Sequence, residues 1–340
     1  MIHTSAAFPQ PSPESDRWQS EMAAAVTDPA DLLALVGLGN EWLAGARAAA
    51  RLFPLRVPHS YIRRIRRGDP HDPLLRQVLP LAEECLAADG YGADPVGDGA
   101  AMAAPGVLQK YHGRVLLTVT GACAVHCRYC FRRHYDYAEA NPAVDRWHAA
   151  LEHIAADATI SEVILSGGDP LSLSDRKLAE LIARLGTIAH LKRLRLHTRT
   201  ATVLPARVTD EFVRGVSSSR LTPVVVVHVN HANEIDNEVR AALARLRAAG
   251  VTLLNQSVLL RGVNDDAQAL ADLSEALFDA GVLPYYLHLL DKVQGAAHFD
   301  VTEPTARALR ATLAARLPGY LVPRLVREIA GAPAKMAVDG

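Results

Sequence analysis

The chain has 340 residues, of which 49% are hydrophobic and 21% charged, as in a folded globular protein rather than a disordered or fibrous one. Its formal net charge of -1 at pH 7 excludes an overall field that would gather nucleic acid or an anionic membrane surface. The polar, Pro-rich stretch 1–16 lacks the apolar core of a signal peptide, and no apolar run approaches the about 20 residues that span a bilayer. We therefore expect a cytoplasmic protein that binds neither nucleic acid nor membrane.

The first part of the chain, residues 1–106, is predicted to be a helical region. Prolines interrupt its helical patterns, and the stretch 90–106 has the composition of a linker. Cys85 stands alone in a helix-like stretch, where a lone cysteine is usually a small, buried or half-buried side chain. This region carries no chemical motif of its own.

The middle of the chain, residues 107–300, alternates short β-branched runs with helical patterns. Each unit takes roughly 30 residues, the usual size of two parallel strands joined by a crossover helix. Such crossovers are right-handed, so the pattern predicts an α/β fold with a partial parallel (β/α)6 barrel and an active site at the carboxyl ends of the strands. The candidate strands are 115–120, 163–166, 194–197, 224–229, 252–258 and 285–289.

The last part of the chain, residues 301–340, is predicted to hold a helix and a short terminal segment. An apolar run at 320–326 is followed by Gly331-Ala-Pro-Ala-Lys335. A lysine presented from a Gly/Pro loop can form a Schiff base with pyridoxal phosphate (PLP). Without further context, such a lysine is ordinarily a solvated tail residue.

The strongest motif is a C-x3-C-x2-C cluster directly after the first predicted strand, formed by Cys123, Cys127 and Cys130. Three thiolates on one loop can ligate three irons of a 4Fe-4S cubane and leave the fourth iron open to a substrate. A structural zinc site is the alternative, but tetrahedral zinc takes four ligands, usually in two separated pairs. His126 is a candidate fourth ligand, although its position inside the loop argues against it.

Polar residues also follow other predicted strands. The stretch 166–170, Ser-Gly-Gly-Asp-Pro, follows the second strand, where glycines let the backbone approach a ligand and leave amide groups free to bond it. Taken alone, it would be an ordinary strand-to-loop break. His228 and Gln256 lie on the fourth and fifth strands, and as lone residues each would more often be a satisfied core polar group.

Several stretches carry a resemblance to a known family. At the cysteine motif, with the aromatic Tyr129 before the last cysteine, the chain resembles the radical S-adenosylmethionine (SAM) superfamily. Within it, the chain resembles the lysine 2,3-aminomutase family over nearly its whole length, and most of all the branch that serves β-lysylation of bacterial elongation factor P. The stretches are Leu-Arg-Val-Pro (55–58), Asp-Pro-Leu-Leu-Arg-Gln-Val-Leu (72–79), Cys-Arg-Tyr-Cys-Phe-Arg-Arg-His (127–134), Leu-Asn-Gln-Ser-Val-Leu-Leu-Arg (254–261) and Asp-Lys-Val-Gln-Gly-Ala-Ala-His-Phe (291–299).

The resemblance implies three cofactors, which are a 4Fe-4S cluster, SAM and PLP. A mixed set of cations and a hydroxyl, such as the one that precedes the first strand, suits a phosphate. The alternative for these residues is a solvated basic edge. The family positions for the cofactors are Cys123, Cys127 and Cys130 for the cluster, Ser166, Gly167, Gly168, Asp169, His228 and Gln256 for SAM, Lys335 for the PLP Schiff base, and Lys110, Tyr111 and Arg114 for the PLP phosphate.

The resemblance also implies the residues that bind the substrate. Arg132 matches the family's clamp for the α-carboxylate of lysine, a role that suits the planar guanidinium. Asp291 and Glu328 match the two acidic positions for the ε-ammonium. A cationic substrate explains buried carboxylates better than packing does, with a surface ion pair as the alternative. Arg128 and Arg133 are assigned only to the cluster side or to ion pairs.

The chain departs from the free-lysine enzymes of the family at several points. Lys110 stands where those enzymes have Arg, so bidentate binding is lost there, and Met336 stands where the family commonly has Thr. Glu328 is one methylene longer than the usual Asp. The cysteine-containing terminal zinc segment of the free-lysine enzymes has no counterpart in the sequence, which favours the elongation-factor branch and leaves homo-oligomer formation open.

The resemblance implies an isomerase. The reduced cluster cleaves SAM to a 5′-deoxyadenosyl radical, which removes a hydrogen from C3 of lysine held on PLP, and the amino group then migrates to give β-lysine. A separate ligase would attach the product to elongation factor P, and an external electron donor would reduce the cluster. Two alternatives stay open: aminomutation of free lysine for metabolism, and a metal-stabilised binding protein for elongation factor P without turnover.

Overall fold

The computed structural model describes residues 13–137 and 147–338, so the first twelve residues of the Pro-rich start lie outside it. The predicted helical region is present from residue 13 to residue 85. Helices α2 and α5 begin with a proline behind an aspartate cap, because Asp28 and Asp72 accept hydrogen bonds from the first-turn amides. The helices of this region are α1 (Pro13–Ala23), α2 (Pro29–Val36), α3 (Leu43–Leu52), α4 (His59–Ile62) and α5 (Pro73–Arg76), with 3-10 turns at Asn40–Trp42 and Ala82–Cys85.

The later helices alternate with strands along the chain. Most of them begin at a capping side chain that accepts an amide hydrogen bond from the first turn, namely Ser174, Thr209, Asp236, Asp266 and Thr302. The helices are α6 (His148–Ala156), α7 (Asp175–Gly186), α8 (Thr200–Val203), α9 (Asp210–Ser217), α10 (Asn237–Ala248), α11 (Ala267–Asp279) and α12 (Glu303–Arg316).

Within the described residues, ten strands form one open sheet in the order of the chain. Strands β3 to β9 pair in parallel, while β1, β2 and β10 pair antiparallel at the two edges. The six predicted strands are confirmed as β3 to β8, and with them the α/β class and the partial parallel barrel. The strands are β1 (Met102–Ala104), β2 (Val107–Tyr111), β3 (Arg114–Thr120), β4 (Glu162–Gly167), β5 (Arg193–Thr198), β6 (Thr222–Val227), β7 (Thr252–Val258), β8 (Leu283–His288), β9 (Arg324–Arg327) and β10 (Met336–Ala337).

The structure differs from the sequence predictions at the edges of the sheet. The apolar run 320–326 supplies a seventh parallel strand, β9, because it pairs with β8. The predicted linker 90–106 contains β1 and hydrogen-bonds to the loop after β8, since the amide of Gly92 donates to the carbonyl of Lys292 (3.0 Å). A Gly-rich composition resembles a linker whether or not tertiary contacts fix the segment. The division at 106/107 and 300/301 stays a prediction.

The described residues form four hydrophobic clusters, and the two largest support the barrel. The larger one fills the space between the sheet and its covering helices. The smaller one joins the helical region to the cysteine loop, because Ala124 and Val125 of that loop pack with Leu55, Val57 and Leu79. The helical region therefore supports the loop that follows β3.

Cys85 does not pack as predicted. It is exposed on the 3-10 turn Ala82–Cys85, while Glu84 in the same turn is 2% exposed. Glu84 is bonded to both cysteine-loop arginines, with its carboxylate 2.8 Å from Nε of Arg128 and 2.8 Å from Nη2 of Arg133. The turn therefore buries its carboxylate rather than its thiol, and the expected ion pairs of Arg128 and Arg133 are present.

No helix in the described ranges combines the length and the apolar character that crossing a membrane requires.

The first prediction concerns the stability of this ion cluster. Glu84→Gln leaves two buried guanidinium groups without their counter-charge, so the free energy of unfolding should fall by about 3–5 kcal/mol. Urea unfolding followed by circular dichroism measures it. Glu83→Gln is the matched control, because its exposed neighbouring side chain should change stability by less than about 0.5 kcal/mol. Equal unfolding midpoints for both variants would contradict the structural role of Glu84.

Candidate active site

A cavity of about 340 Å³ lies at the carboxyl ends of the parallel strands. It is lined by the loop after β3, the ends of β4 to β8 and the segment after β9. Every residue that the sequence predicted for a metal, a cofactor or the substrate lines this one cavity. Their individual roles stay predictions.

The three cysteines lie on the loop after β3 and are partly exposed. Burial raises the pKa of Cys130 to about 11, reinforced by Cys127, and burial also raises the pKa of Cys123. A cationic partner is therefore needed to hold these groups as thiolates. Across residues 13–137 and 147–338, no three Cys, His, Asp or Glu side chains converge on a single-ion site. The preference for a cubane, in which each thiolate takes its own iron, over one zinc ion rests on the C-x3-C-x2-C motif, because zinc usually takes four ligands in two separated pairs.

His126 contacts the helical region. Its Nδ1 lies 2.9 Å from the carbonyl oxygen of Pro54, and its ring packs against Phe53 at 5.2 Å between centroids. The backbone amide of His126 donates to the carbonyl of Arg56 (2.9 Å). The helical region thus engages His126, which agrees with the sequence argument against a fourth ligand there.

The Gly-Gly-Asp turn at the end of β4 packs on the cysteine loop. The amide of Gly168 donates to the carbonyl of Thr120 (2.7 Å), and that of Asp169 donates to the carbonyl of Ala122 (2.8 Å). A Cβ atom at Gly168 would lie 2.3 Å from the Ala122 oxygen, so only glycine fits. The expectation that these amides are free for a ligand is wrong, because the close approach is to the cysteine loop.

The carboxylate of Asp169 is buried and accepts hydrogen bonds from the end of β5. Its donors are the hydroxyl of Thr198 (2.9 Å) and the amides of Arg199 (2.7 Å) and Thr200 (2.9 Å). The side chain therefore fastens the β4 turn to the neighbouring strand. Direct contact between Asp169 and SAM stays a prediction.

His228 and Gln256 form a pair in the cavity wall, with 2.9 Å between His228 Nε2 and Gln256 Nε2. Burial, with Arg199 and Lys335 nearby, lowers the pKa of His228 to about 3, so its ring is neutral. It can therefore accept from the amide of Gln256 and present Nδ1–H elsewhere. A neutral donor–acceptor pair of this kind suits a polar ligand such as a nucleoside.

Two further histidines line the cavity and were not predicted. The Nε2 atoms of His197 and His288 are buried and have no hydrogen-bond partner among the described residues. Buried ring nitrogens without partners are available to a ligand or to an ordered water. Both lie within predicted strands, and a histidine interrupting an apolar strand was the available signal.

Lys335 and Glu328 form an ion pair in the cavity. Glu328 also accepts from the hydroxyl of Tyr111 (2.8 Å) and lies 3.5 Å from Nζ of Lys110. Burial would raise the pKa of Glu328, but Lys335, Tyr111 and Lys110 outweigh it and hold this pKa below its usual value. The position of Lys335 in the cavity excludes the alternative of a solvated tail lysine.

Asp291 follows β8 and contrasts with Glu328. Its side chain has no hydrogen bond or ion pair within the described part of the chain, although Lys335 is close enough to influence it electrostatically. Burial, reinforced by Glu328 and opposed by Lys335, raises the pKa of Asp291 to about 7. A largely desolvated carboxylate without a partner favours the binding of a cation.

The predicted phosphate ligands lie on the hairpin of β2 and β3. Tyr111 and Arg114 face each other across it, and the Arg114 guanidinium lies 4.8 Å from the centre of the Tyr111 ring. Nζ of Lys110 donates to the carbonyl of Val96 (2.8 Å). The hairpin presents two cations and a hydroxyl to the cavity that holds Lys335, so these residues fit PLP.

Arg132 lies between the cysteine loop and β4. Its Nε donates to Asp98 (2.7 Å) and its Nη1 to the hydroxyl of Ser166 (3.3 Å). Asp98 also pairs with Lys110 at 2.6 Å. Sequence reasoning missed Asp98, because it falls in the Gly-rich stretch predicted as a linker and belongs to no motif.

Comparison with known proteins agrees with this site. The family model of the Radical SAM superfamily matches residues 117–273. The chain is 52% identical over 329 residues to the L-lysine 2,3-aminomutase of Escherichia coli (strain K12), covering 96% of each chain. It is 49% identical to the protein of that name from Haemophilus influenzae, covering 95% of each, and 32% identical to that of Clostridium subterminale, covering 94% of this chain and 77% of the relative.

A solved radical SAM methyltransferase from Sphaerobacter thermophilus aligns with a TM-score of 0.45 and 18% identity, covering 65% of this chain and 68% of that one. The full-length relatives share about half of their residues with this chain. The chain therefore belongs to the lysine 2,3-aminomutase family of the radical SAM superfamily, whose members are isomerases associated with a 4Fe-4S cluster, SAM and PLP.

Proposed function

We propose that this chain is a PLP-dependent lysine 2,3-aminomutase that converts α-lysine into β-lysine for attachment to elongation factor P. The observation that carries the proposal is the make-up of the cavity, in which the three cysteines share one space with Lys335 and two carboxylates. No ordinary packing requirement brings these groups to one cavity. When bound, the cluster and SAM supply the radical that abstracts hydrogen, and PLP supplies the conjugated system that the migrating nitrogen needs.

The charges of the cavity match the two ends of lysine. Nε of Arg132 donates to Asp98, while Nη2 has no hydrogen-bond partner among the described residues. The Nη2 side of the guanidinium can therefore receive the α-carboxylate. Asp291 and Glu328 present carboxylates for the ε-ammonium. A substrate with a carboxylate at its far end would meet like charges here, which costs several kcal/mol.

Glu328 has one carboxylate oxygen for each of two partners. In the free chain one oxygen pairs with the Lys335 ammonium. Lys335 would hold PLP, and Glu328 together with Asp291 would offer carboxylates to the ε-ammonium of the substrate. In the free chain the Tyr111 hydroxyl donates to the other oxygen of Glu328, and it would leave that oxygen in order to donate to the phosphate of PLP.

The remaining residues position the reactants. The phosphate would be bound by Lys110, Tyr111 and Arg114. A neutral, polar part of SAM would be bound by His228 and Gln256. The helical region and the strands exclude water around them, which prevents side reactions of a radical. The contribution of the protein is then orientation and a dry cavity.

The link to elongation factor P rests on the sequence resemblance and on two side chains in the cavity. Lys110 and Glu328 stand where the free-lysine enzymes have Arg and Asp. We place the reaction in the cytoplasm, where thiol ligands stay reduced. The test is an anaerobic assay with SAM, PLP, dithionite and lysine, with β-lysine detected by mass spectrometry. Absence of iron and sulfide would favour the binding-protein alternative instead.

The cluster assignment gives a prediction. Replacing Cys123, Cys127 or Cys130 by Ala should remove the cluster and SAM cleavage, because a cubane needs all three ligands. Iron and sulfide per chain, with 5′-deoxyadenosine formation, measure it. Cys85→Ala is the control and should leave both unchanged, since Cys85 is exposed outside the cavity. Wild-type 5′-deoxyadenosine formation by Cys130→Ala would overturn the assignment.

The Lys335 assignment gives another. Lys335→Ala should abolish PLP that borohydride traps on the protein while leaving iron content intact, because different segments hold the two cofactors. Peptide mapping of the reduced protein identifies the trapped lysine. Lys292→Ala is the matched control, since the Lys292 ammonium lies 5.8 Å from the centre of the Tyr91 ring and does not line the cavity. Trapping on Lys292 would contradict the assignment.

The raised pKa of Asp291 predicts a pH dependence for lysine binding. The carboxyl must lose its proton to pair with an ammonium, and its pKa in the free chain is about 7. The Michaelis constant for lysine should therefore rise as pH falls below about 7, by up to about tenfold per pH unit. Asp291→Asn should raise this constant about tenfold or more and flatten its pH profile, with SAM binding unchanged. A parental profile in the Asn variant would show that Asp291 is structural.

A further inference from the structure

A short segment, residues 91–99, crosses the edge of the cavity, and we refer to it as the strap. Its beginning is tied to the loop after β8, where the amide of Gly92 donates to the carbonyl of Lys292 (3.0 Å) and the amide of Gln294 donates to the carbonyl of Gly92 (2.9 Å). The hydroxyl of Tyr91 also donates to Asp300 (2.9 Å). The strap is therefore anchored just beyond Asp291.

The far end of the strap is a tight turn that directs Asp98 inward. The carboxylate of Asp94 accepts from the amides of Asp98 (2.9 Å) and Gly99 (3.0 Å). Gly97 has φ +68°, and a Cβ there would lie 3.0 Å from the Cβ of Ala330. This backbone conformation and this close contact both favour glycine. The strap therefore packs close to the segment that carries Lys335.

Asp98 connects two of the positive groups of the cavity, those of Arg132 and Lys110. It is 2% exposed, with 2.7 Å from Oδ2 to Nε of Arg132 and 2.6 Å from Oδ1 to Nζ of Lys110. Burial would raise the pKa of Asp98, but Arg132 and Lys110 outweigh it and hold this pKa below its usual value. Asp98 is therefore ionised at neutral pH.

The pair of Asp98 with Arg132 differs from a purely structural buried pair. Arg207 pairs with Asp175 (2.6 Å) and also donates to the carbonyls of Leu171 and Leu173, so all three nitrogens of its guanidinium have partners. In Arg132, Nη2 has no hydrogen-bond partner within the described ranges, and the residue lines the cavity. Asp98 thus holds the Nε side of the guanidinium and leaves the Nη side for a ligand.

We propose that Asp98 is a positioning residue for recognition of the substrate carboxylate. Bonded to Nε, it fixes the plane of the Arg132 guanidinium so that the Nη edge faces the α-carboxylate. Its other oxygen pairs with Lys110, so the same carboxylate also fixes the cation that we assign to the phosphate. This inference rests on the proposed function, and it assigns a role in the active site to the strap.

The test compares lysine with cadaverine, which has the same two amino groups and no carboxylate. In the cofactor-loaded enzyme, Asp98→Asn should raise the Michaelis constant for lysine about tenfold. The inhibition constant of cadaverine against lysine should change less than about twofold, because cadaverine does not use Arg132. A general loosening of the cavity would weaken both ligands equally and would overturn the proposal.

A double-variant cycle separates action through Arg132 from an independent effect. In an Arg132→Lys background, Asp98→Asn should change the lysine Michaelis constant by less than about twofold, because the fork that Asp98 orients is absent. If Asp98→Asn raised the lysine Michaelis constant by the same factor in the Arg132→Lys background as in the parent, the proposal would be overturned. If the Asn variant does not fold, Asp98→Glu keeps the charge balance, displaces the carboxylate by one methylene and should give the same split between lysine and cadaverine.

The parental enzyme separates the two levels of inference. If the parent forms no β-lysine, the proposed function fails, and this inference fails with it. If the parent is active and Asp98→Asn leaves the lysine Michaelis constant unchanged or lower, only the role of Asp98 is wrong.

Discussion

The buried carboxylate of Glu84 is the interaction on which the cysteine loop depends. A loop that ends a parallel strand has few hydrogen bonds of its own, and here it carries two buried guanidinium groups, those of Arg128 and Arg133. One carboxylate from the helical region pairs with both. Removing a partner from such a buried cluster leaves uncompensated charge, whereas the complete cluster locks the loop in one conformation. The helical region is therefore part of the cluster site, although it supplies no predicted metal ligand.

The β4 turn supports the same loop from the other side. The amides of Gly168 and Asp169 donate to carbonyls of the cysteine loop, and the carboxylate of Asp169 extends the connection to the end of β5. The cysteines thus lie between two rigid supports before any cofactor binds. Such preorganisation limits the reorganisation that accompanies cofactor binding and radical formation.

Charge is distributed in the cavity according to the two ends of an amino acid. Arg132 lies on one side with its counter-ion Asp98, while Asp291 and Glu328 lie on the side of Lys335. Each carboxylate has a different state, since Glu328 is paired and Asp291 has no partner among the described residues. This difference allows one acid to stabilise the resting lysine while the other stays available for an incoming cation.

The sequence by itself determined the strands β3 to β8 and the composition of the site. Short β-branched runs separated by amphipathic helical patterns allow few arrangements, and the C-x3-C-x2-C spacing brings three thiols onto one loop whatever surrounds it. Tertiary structure decided what local patterns cannot encode. Asp98 and Cys85 lie in stretches whose composition suits several conformations, so distant partners decided which side chains are buried. Asp98 pairs with Arg132. The turn of Cys85 buries Glu84 against Arg128 and leaves Cys85 exposed. The hydrogen-bond acceptors of the Gly168 and Asp169 amides were likewise decided by the close approach of a neighbouring loop. A backbone donor bonds whichever acceptor the fold brings within about 3 Å.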